Sequence, residues 1–308
     1  MTQKLVTVVI PSFNQGRFIR ETIDSCLSQD YRPLEILVFD GGSKDETVAV
    51  LQSYSVPELQ WWSKPDKGVV DAVNKGLIQA KGNILTIQSS DDVFLPGAVS
   101  AAVQKLTASP ELHLVYGDVE LIDENSNQIG EDKQPGFSLC EYLGRLQYIP
   151  QPGTFFSREA MVATGGWREE FSYAADADYW MRMLCRFPAA NLQRSVARYR
   201  YHSAQRDTQN EKIARDWVAA VQNLIQSDAL SRPEHRYARM GIELAKYRYA
   251  PVEQWWYRTR KLYRAAAINP AAVMHSNFPK RELLPGREPI WKQLSRLKRS
   301  LGFSPRGA

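Results

Sequence analysis

The chain of 308 residues is 44 % apolar and 24 % charged with a formal net charge of +5, a balance that suits one large α/β domain plus a smaller appendage. A membrane-spanning helix is not expected, since no apolar run approaches the roughly 18 residues it needs, and Met1-Thr2-Gln3-Lys4 leads into a strand without the apolar segment of a secretory signal. Cys26, Cys140 and Cys185 are odd in number and widely spaced, so neither a disulfide framework nor a zinc site is expected, and a reducing cytoplasm is.

In chain order, Val6-Thr7-Val8-Val9-Ile10 is an apolar strand that runs into Pro11-Ser12-Phe13-Asn14. Phe18, Ile19, Ile23, Cys26 and Leu27 have helical spacing, and Tyr31-Arg32-Pro33 stops that helix. Residues 34–39 form a second strand ending in Asp40-Gly41-Gly42-Ser43. Ser43 and Glu46 make a capping-box pattern for a helix with Val48, Val50 and Leu51. Residues 59–62 read as a short strand and 68–80 as a helix ended by Gly82. Residues 84–87 are a strand that runs into Gln88-Ser89-Ser90-Asp91-Asp92, and Pro96 opens the next helix in its first turn. Residues 114–117 and 119–122 read as two strands, 123–136 as a polar loop and 154–156 as a strand. A helix over 176–187 and a basic strand over 196–202 follow, and the polar residues 203–211 close the domain. Strands alternating with helices predict a parallel sheet, whose ligands bind beyond the carboxyl ends of its strands.

Those strand ends carry the chemistry. The adjacent carboxylates Asp91 and Asp92 suit a hard divalent cation, or equally a helix N-terminal cap. Gly41 and Gly42 explain a tight turn but not an acid as the last strand residue, where burial is costly and a base or ribose would satisfy Asp40. No G-x-G-x-x-G follows the first strand and no Walker loop is present, which disfavours NAD and ATP enzymes and nucleotidyltransferases. Asp176-Ala177-Asp178 opens an amphipathic helix, where a carboxylate either caps or serves as a general base. His202 follows Tyr199-Arg200-Tyr201, and a lone histidine carries no function by itself.

Together, six strings resemble family 2 of the inverting nucleotide-sugar glycosyltransferases, over about residues 5–205. They are Val9-Ile10-Pro11-Ser12-Phe13-Asn14, Asp40-Gly41-Gly42-Ser43-Lys44-Asp45-Glu46-Thr47, Asp66-Lys67-Gly68 with Asp71-Ala72-Val73-Asn74-Lys75-Gly76, Ser89-Ser90-Asp91-Asp92, Gly165-Gly166-Trp167, and Asp176-Ala177-Asp178-Tyr179-Trp180-Met181-Arg182. The resemblance implies a GT-A fold: a Rossmann-like α/β architecture with a mixed, mostly parallel sheet flanked by helices. It implies nucleotide contacts from Pro11, Ser12, Phe13, Asp40, Gly68, Asp71 and Asp91. Asp92 and His202 are the implied ligands of Mg²⁺ or Mn²⁺ on the donor diphosphate, and Asp176 the implied general base. The residue usually before the base is Glu in this family and is Ala175 here, which leaves the base open between Asp176 and Asp178. Val73 stands where many relatives carry Arg, so the nucleotide is not readable. Residues 148–156 either line the acceptor side or are an ordinary lead into a strand.

The boundary is expected near residue 212, giving a catalytic domain over 1–211 and a basic, mainly helical region over 212–308. Residues 232–308 hold 17 Lys+Arg against 5 Asp+Glu, whereas residues 1–231 hold 22 against 29. Trp255, Trp256 and Tyr257 lie near Arg258, Arg260, Lys261 and Arg264, and residues 290–301 give a second amphipathic basic pattern. Two readings stand for 255–301: a solvated basic face, or peripheral contact with an anionic membrane at the inner face of the plasma membrane. No nucleic-acid module is recognisable. The expected partners are a nucleotide-sugar donor and a glycan or lipid-linked acceptor in cell-surface polysaccharide or lipopolysaccharide synthesis. The rival expectation is a non-catalytic nucleotide-sugar-binding module.

Overall fold

The first four strands lie parallel, as strand–helix–strand units require; the first, second and fourth are buried throughout, and the third, at the sheet edge, buries only Leu59. The computed structural model describes residues 3–134, 136–203, 209–251, 253–279 and 283. Its elements in chain order are β1 (Val6–Ser12), α1 (Ile19–Leu27), β2 (Leu34–Asp40), α2 (Thr47–Gln52), β3 (Leu59–Ser63), α3 (Val69–Gln79), β4 (Ile84–Ile87) and β5 (Val93–Phe94). Then come α4 (Ala98–Ala108), β6 (Leu114–Ile122), β7 (Gln128–Asp132), α5 (Leu139–Leu143), β8 (Thr154–Ser157), α6 (Arg158–Thr164), α7 (Ala175–Leu184) and β9 (Ala189–Arg200). Helices α8 (Asn210–Gln226), α9 (Arg232–Tyr249) and α10 (Trp255–Ile268) follow.

Among the described residues the sheet runs β3-β2-β1-β4-β8-β6-β9-β5, with β7 paired to the far end of β6. Strand β8 is antiparallel to both β4 and β6, and β9 is parallel to β6. The result is the mixed, mostly parallel sheet expected. Its two faces are closed by separate apolar clusters. Val8, Ile10, Ile36 and Val38 meet α1 and α4 on one side; Val9, Leu37 and Leu85 meet α3 and α7 on the other. Helix α3 sits close to β1, because a Cβ on Gly76 would come 2.2 Å from Val9 Cγ1.

Several local expectations are revised. Residues 114–122 are one strand, with Gly117 leaving room for Val196 of β9. The segment taken as a loop over 123–136 contains β7, whose residues are mostly exposed and so lack an apolar alternation. Helix α4 starts at Ala98 behind Gly97 at φ +77°, so Pro96 precedes the helix. Ser43 does not cap α2: its hydroxyl goes to Asp40, and Asp45 Oδ1 receives the Thr47 N–H at 3.0 Å. Strand β9 ends at Arg200, leaving Tyr201 and His202 just beyond it.

Among the described residues no break in packing falls at the 211/212 boundary expected from composition. Trp217, Ala220, Val221 and Leu224 of α8 and Ala238, Ile242 and Ala245 of α9 share one cluster with Leu143, Tyr179 and Trp180. The second basic pattern, at 290–301, lies outside the described residues. No described helix is long and apolar enough to cross a membrane.

Helix α9 reaches α5 only because position 241 is glycine. A Cβ there would lie 2.0 Å from the Leu143 carbonyl oxygen, a backbone atom with no rotamer to yield. Gly241→Ala is expected to destabilise the fold by about 1–3 kcal/mol, the range for forced overpacking. Urea unfolding should show a lower midpoint at unchanged m-value. An unchanged midpoint would contradict the close contact.

Candidate active site

Because β1, β2, β3 and β4 are parallel, their carboxyl ends meet at one edge of the sheet. Ser12 is in register with Asp40, and Asp40 with Ser63. Asp40 is only 3 % exposed. The chain supplies its own donors to that carboxylate: the N–H groups of Gly42 and Ser43 at 3.1 and 2.9 Å, and the hydroxyls of Ser63 and Ser43. An acid at this strand end is thus satisfied before any nucleoside arrives. Its four donors tie the ends of β2 and β3 together.

The loop after β1 is held from the same side. Asn14 N–H donates to Ser43 Oγ at 2.7 Å, and Asn14 Oδ1 accepts from Lys44 N–H at 2.9 Å. Gly16 N–H donates to Asp45 and Gln15 N–H to Thr47 Oγ1. These contacts explain the string Ser43-Lys44-Asp45-Glu46-Thr47 as a clamp on residues 14–16. Phe13 stands out from the clamped loop, 59 % exposed. Ser12 Oγ is buried without a hydrogen-bond partner, as are both polar atoms of the Gln88 side chain at the end of β4. Gly68 starts α3 at φ +107°, with open space where a side chain would stand. Asp71, in the first turn, accepts from Lys67 N–H and pairs with Lys75 Nζ at 2.8 Å, which holds its carboxyl below the usual range.

The two acids after β4 take different positions. Asp92 is 1 % exposed; its Oδ1 accepts the Arg200 N–H at 2.9 Å and its carbonyl accepts from Thr22 Oγ1. Asp91 keeps 15 % of its side-chain surface and meets His202 Nε2 at 2.9 Å. The imidazole of His202 also packs on Phe18, with ring centroids 4.9 Å apart. The helix-cap alternative for these acids does not apply, since neither side chain caps α4.

Arg200, which the sequence presents only as one cation of a basic strand, organises this corner. It is 1 % exposed. Its Nε donates to the Asp91 carbonyl at 2.7 Å, and its Nη atoms reach the Asp123 carbonyl, Ser126 Oγ and Glu21 Oε2. The guanidinium lies 4.8 Å from the Phe18 ring centroid. One side chain therefore joins the Asp91 loop, α1 and the turn between β6 and β7.

Helix α7 presents the third acid. Asp176 is half-buried in its first turn. It adds to burial in pushing the Tyr142 hydroxyl upward, so the two face each other electrostatically. Asp178, one of the two candidates for the base, is buried against Arg182 at 2.8 Å and Arg168 at 3.7 Å. Desolvation raises its carboxyl above the ordinary range despite Arg182. Arg182 also donates to the Thr164 and Gly166 carbonyls. Asn74 of α3 grips Trp167 by both its N–H and carbonyl, at 2.8 and 2.9 Å. A Cβ on Gly166 would lie 2.4 Å from Asn74 Oδ1. The Asn-Lys-Gly and Gly-Gly-Trp strings are therefore two halves of one brace beside α7. Ala175 is buried in the core and Val73 likewise, so both departures from the family pattern are filled by packing. On the loop before β8, Gln151 accepts from Ser89 Oγ at 2.6 Å and donates to the Ile87 carbonyl, which places residues 148–153 beside the Asp91 loop. Two surface cavities lie elsewhere, one between α4 and β9 and one beside the start of α8.

The family model for glycosyl transferase family 2 matches residues 7–164. An uncharacterized glycosyltransferase of Mycobacterium tuberculosis is 32 % identical over 182 residues, covering 58 % of this chain and 68 % of its own. Chondroitin synthase of Escherichia coli is 26 % identical over 251 residues, covering 80 % of this chain but only 34 % of its own length. Among solved structures, S. aureus TarS 1–349 in complex with UDP-GlcNAc superposes with a TM-score of 0.65 at 14 % identity, over 91 % of this chain and 82 % of that one. The mannosyltransferase PcManGT of Pyrobaculum calidifontis, in complex with GDP-Man and Mn²⁺, gives 0.62 at 19 % identity, over 99 % and 82 %. At such identities the two structures speak for the fold alone, which is of the GT-A type. The matched family model together with the Mycobacterium tuberculosis relative place this chain in glycosyl transferase family 2.

Proposed function

We propose that the protein moves a sugar from a nucleotide-diphosphate donor to an acceptor hydroxyl with inversion at the anomeric carbon. The carrying observation is the contact of His202 with Asp91 at 2.9 Å beyond the ends of β9 and β4. A carboxylate and an imidazole together suit a divalent ion, and the nitrogen ligand fits Mn²⁺ better than Mg²⁺. Among the described residues no group of three His, Cys, Asp or Glu forms a complete cage. Asp91 and His202 would hold the ion, with the donor diphosphate as its further partner. When bound, the ion supplies neutralisation of the charge that gathers on the leaving diphosphate. Asp92, the expected ligand, is assigned instead to fixing the loop, because its carboxylate already accepts the Arg200 N–H from within the protein. Mn²⁺ in the PcManGT complex supports the choice of metal.

Pro11, Ser12 and Phe13 border the nucleoside together with Asp40 and Asp71, and Gly68 leaves its side open. Asp176 is assigned as the base, since Asp178 is buried against two arginines. Asp176 takes the proton of the acceptor hydroxyl as that oxygen attacks the anomeric carbon, and the bond from that carbon to the diphosphate breaks. The acceptor is a glycan or a lipid-linked glycan reaching Asp176 past residues 148–153. Similarity to chondroitin synthase supports a role in cell-surface polysaccharide synthesis. The work is assigned to the cytoplasmic side, with peripheral contact at the membrane.

Incubation with UDP-, GDP- and dTDP-sugars and Mn²⁺ should release one nucleoside diphosphate, and early NMR spectra should show a β product from an α-linked donor. Release from none of them, or a product of retained configuration, would overturn this reading.

A further inference from the structure

Helix α10 packs on α9 through Lys261, Leu262 and Ala265, with Lys261 Nζ 3.1 Å from Glu243 Oε2. Its opposite stripe is Trp256, Arg260 and Tyr263, spaced i, i+4 and i+7, with Arg264 alongside; Trp255, at the first position of the helix, is on the flank of Leu262 but is also exposed. Trp255 and Trp256 are 59 % and 60 % exposed, and Tyr263 is 49 % exposed even though its hydroxyl donates to the Leu283 carbonyl. Arg260 and Arg264 are exposed, and among the described residues neither forms an ion pair. The neighbouring α9 carries exposed Arg232, Arg236 and Arg239 at the same helical spacing.

We propose that this outer stripe of α10 docks the protein on an anionic lipid surface, and the proposal gives a location to the peripheral contact in the reading above. Aromatic rings with a polar edge favour the boundary between headgroups and acyl chains, and cations beside them favour acidic headgroups. The exposed Trp255 and Trp256 at the start of the helix, with Tyr263 and the two arginines along its outer face, supply both terms. The charge around them is complementary to such a surface: residues 232–279 contain nine Lys+Arg and three Asp+Glu. At 14 residues and with four cations, α10 lies in the interface and does not cross it. The stripe is on the helical region whose α8 and α9 pack beside α7, the helix that carries Asp176.

The test is co-sedimentation of the full chain with phosphatidylcholine vesicles, with and without phosphatidylglycerol, at low and high salt. The expected result is binding to the anionic vesicles that salt weakens. Trp255→Ser/Trp256→Ser and Arg260→Glu/Arg264→Glu should each bind about 10-fold more weakly or worse, while Arg260→Lys/Arg264→Lys should bind as the parent does. Equal binding to neutral vesicles, no binding at all, or full binding by both double variants would overturn the proposal. So would a parent that prefers a nucleic acid competitor to the vesicles. Donor-dependent thermal stabilisation, read on the same variants, should be unchanged. Vesicle binding that depends on the stripe in a protein that binds no nucleotide sugar would sink the enzymatic reading and leave this one standing.

Discussion

Asp176→Asn is expected to lower kcat by about 10²–10⁴-fold, the usual worth of a general base, with donor affinity and fold stability intact. Helix α7 divides the labour between its two acids. Asp176 is half-buried at the helix start, where a carboxylate is also favoured by the helix dipole. Asp178, two residues on, is buried and committed to Arg182 and Arg168. Asn keeps the size of the side chain and removes only its capacity to accept a proton. Asp178→Asn makes the opposite trade. It deprives the largely buried Arg182 of its carboxylate and should cost stability first, with activity following the fold. Steady-state kinetics alongside urea unfolding separate the two. Normal turnover in Asp176→Asn, or a collapse of turnover in Asp178→Asn at unchanged stability, would exchange the roles.

Arg200→Met should be the most damaging change away from the reacting atoms. The substitution keeps an unbranched apolar stem but deletes the donors to Asp91, Asp123, Ser126 and Glu21. Breaking a fully buried pair typically costs about 3–5 kcal/mol. Glu21 is 40 % exposed and regains water, so a loss of about 2–3 kcal/mol is expected here. The larger consequence is local. The Asp91 carbonyl loses its anchor, and the loop that presents Asp91 to His202 loosens. Metal-dependent donor binding should weaken more than tenfold under conditions where the variant is still folded, by analogy with the 10–100-fold cost of removing outer-shell partners of metal ligands. Glu21→Gln retains a side-chain oxygen acceptor and should be mild in both measurements. Unaltered donor binding in folded Arg200→Met would show that the loop stands without it.

The parallel strands and their polar ends are legible in the sequence because both are local: apolar runs of four to seven residues, each closed by Ser, Asn or Asp. The acids from which the proposed site is drawn stand out in the sequence for the same reason. Arg200 is not, because its burial depends on Glu21, which lies 179 residues away in the chain. The self-sufficiency of Asp40 is hidden likewise, since one of its donors is Ser63 on the next strand, 23 residues away in the chain. The difference between Asp91 and Asp92 follows from which of them faces the β9 backbone, and adjacency in sequence carries no such information. Helices α5 and α6, of five and seven residues, are too short for a helical period to register. The continuation of the core into α8 and α9 is masked by composition: α8 is polar and α9 basic on the outer face, yet they bury Trp217 and Ile242 against α7 and its neighbours.

Thermal unfolding of the parent and of Asp91→Ala, each with UDP-, GDP- and dTDP-sugars in the presence and absence of Mn²⁺, bears most directly on the site. A ligand bound only by the folded state adds about 2.7 kcal/mol at a hundredfold excess over its Kd. The predicted result is a Mn²⁺-dependent rise with one nucleotide in the parent, kept in Asp176→Asn and absent in Asp91→Ala. A rise of the same size in Asp91→Ala, or one indifferent to Mn²⁺, would contradict a metal at Asp91 and His202; no rise with any nucleotide would contradict the donor site itself.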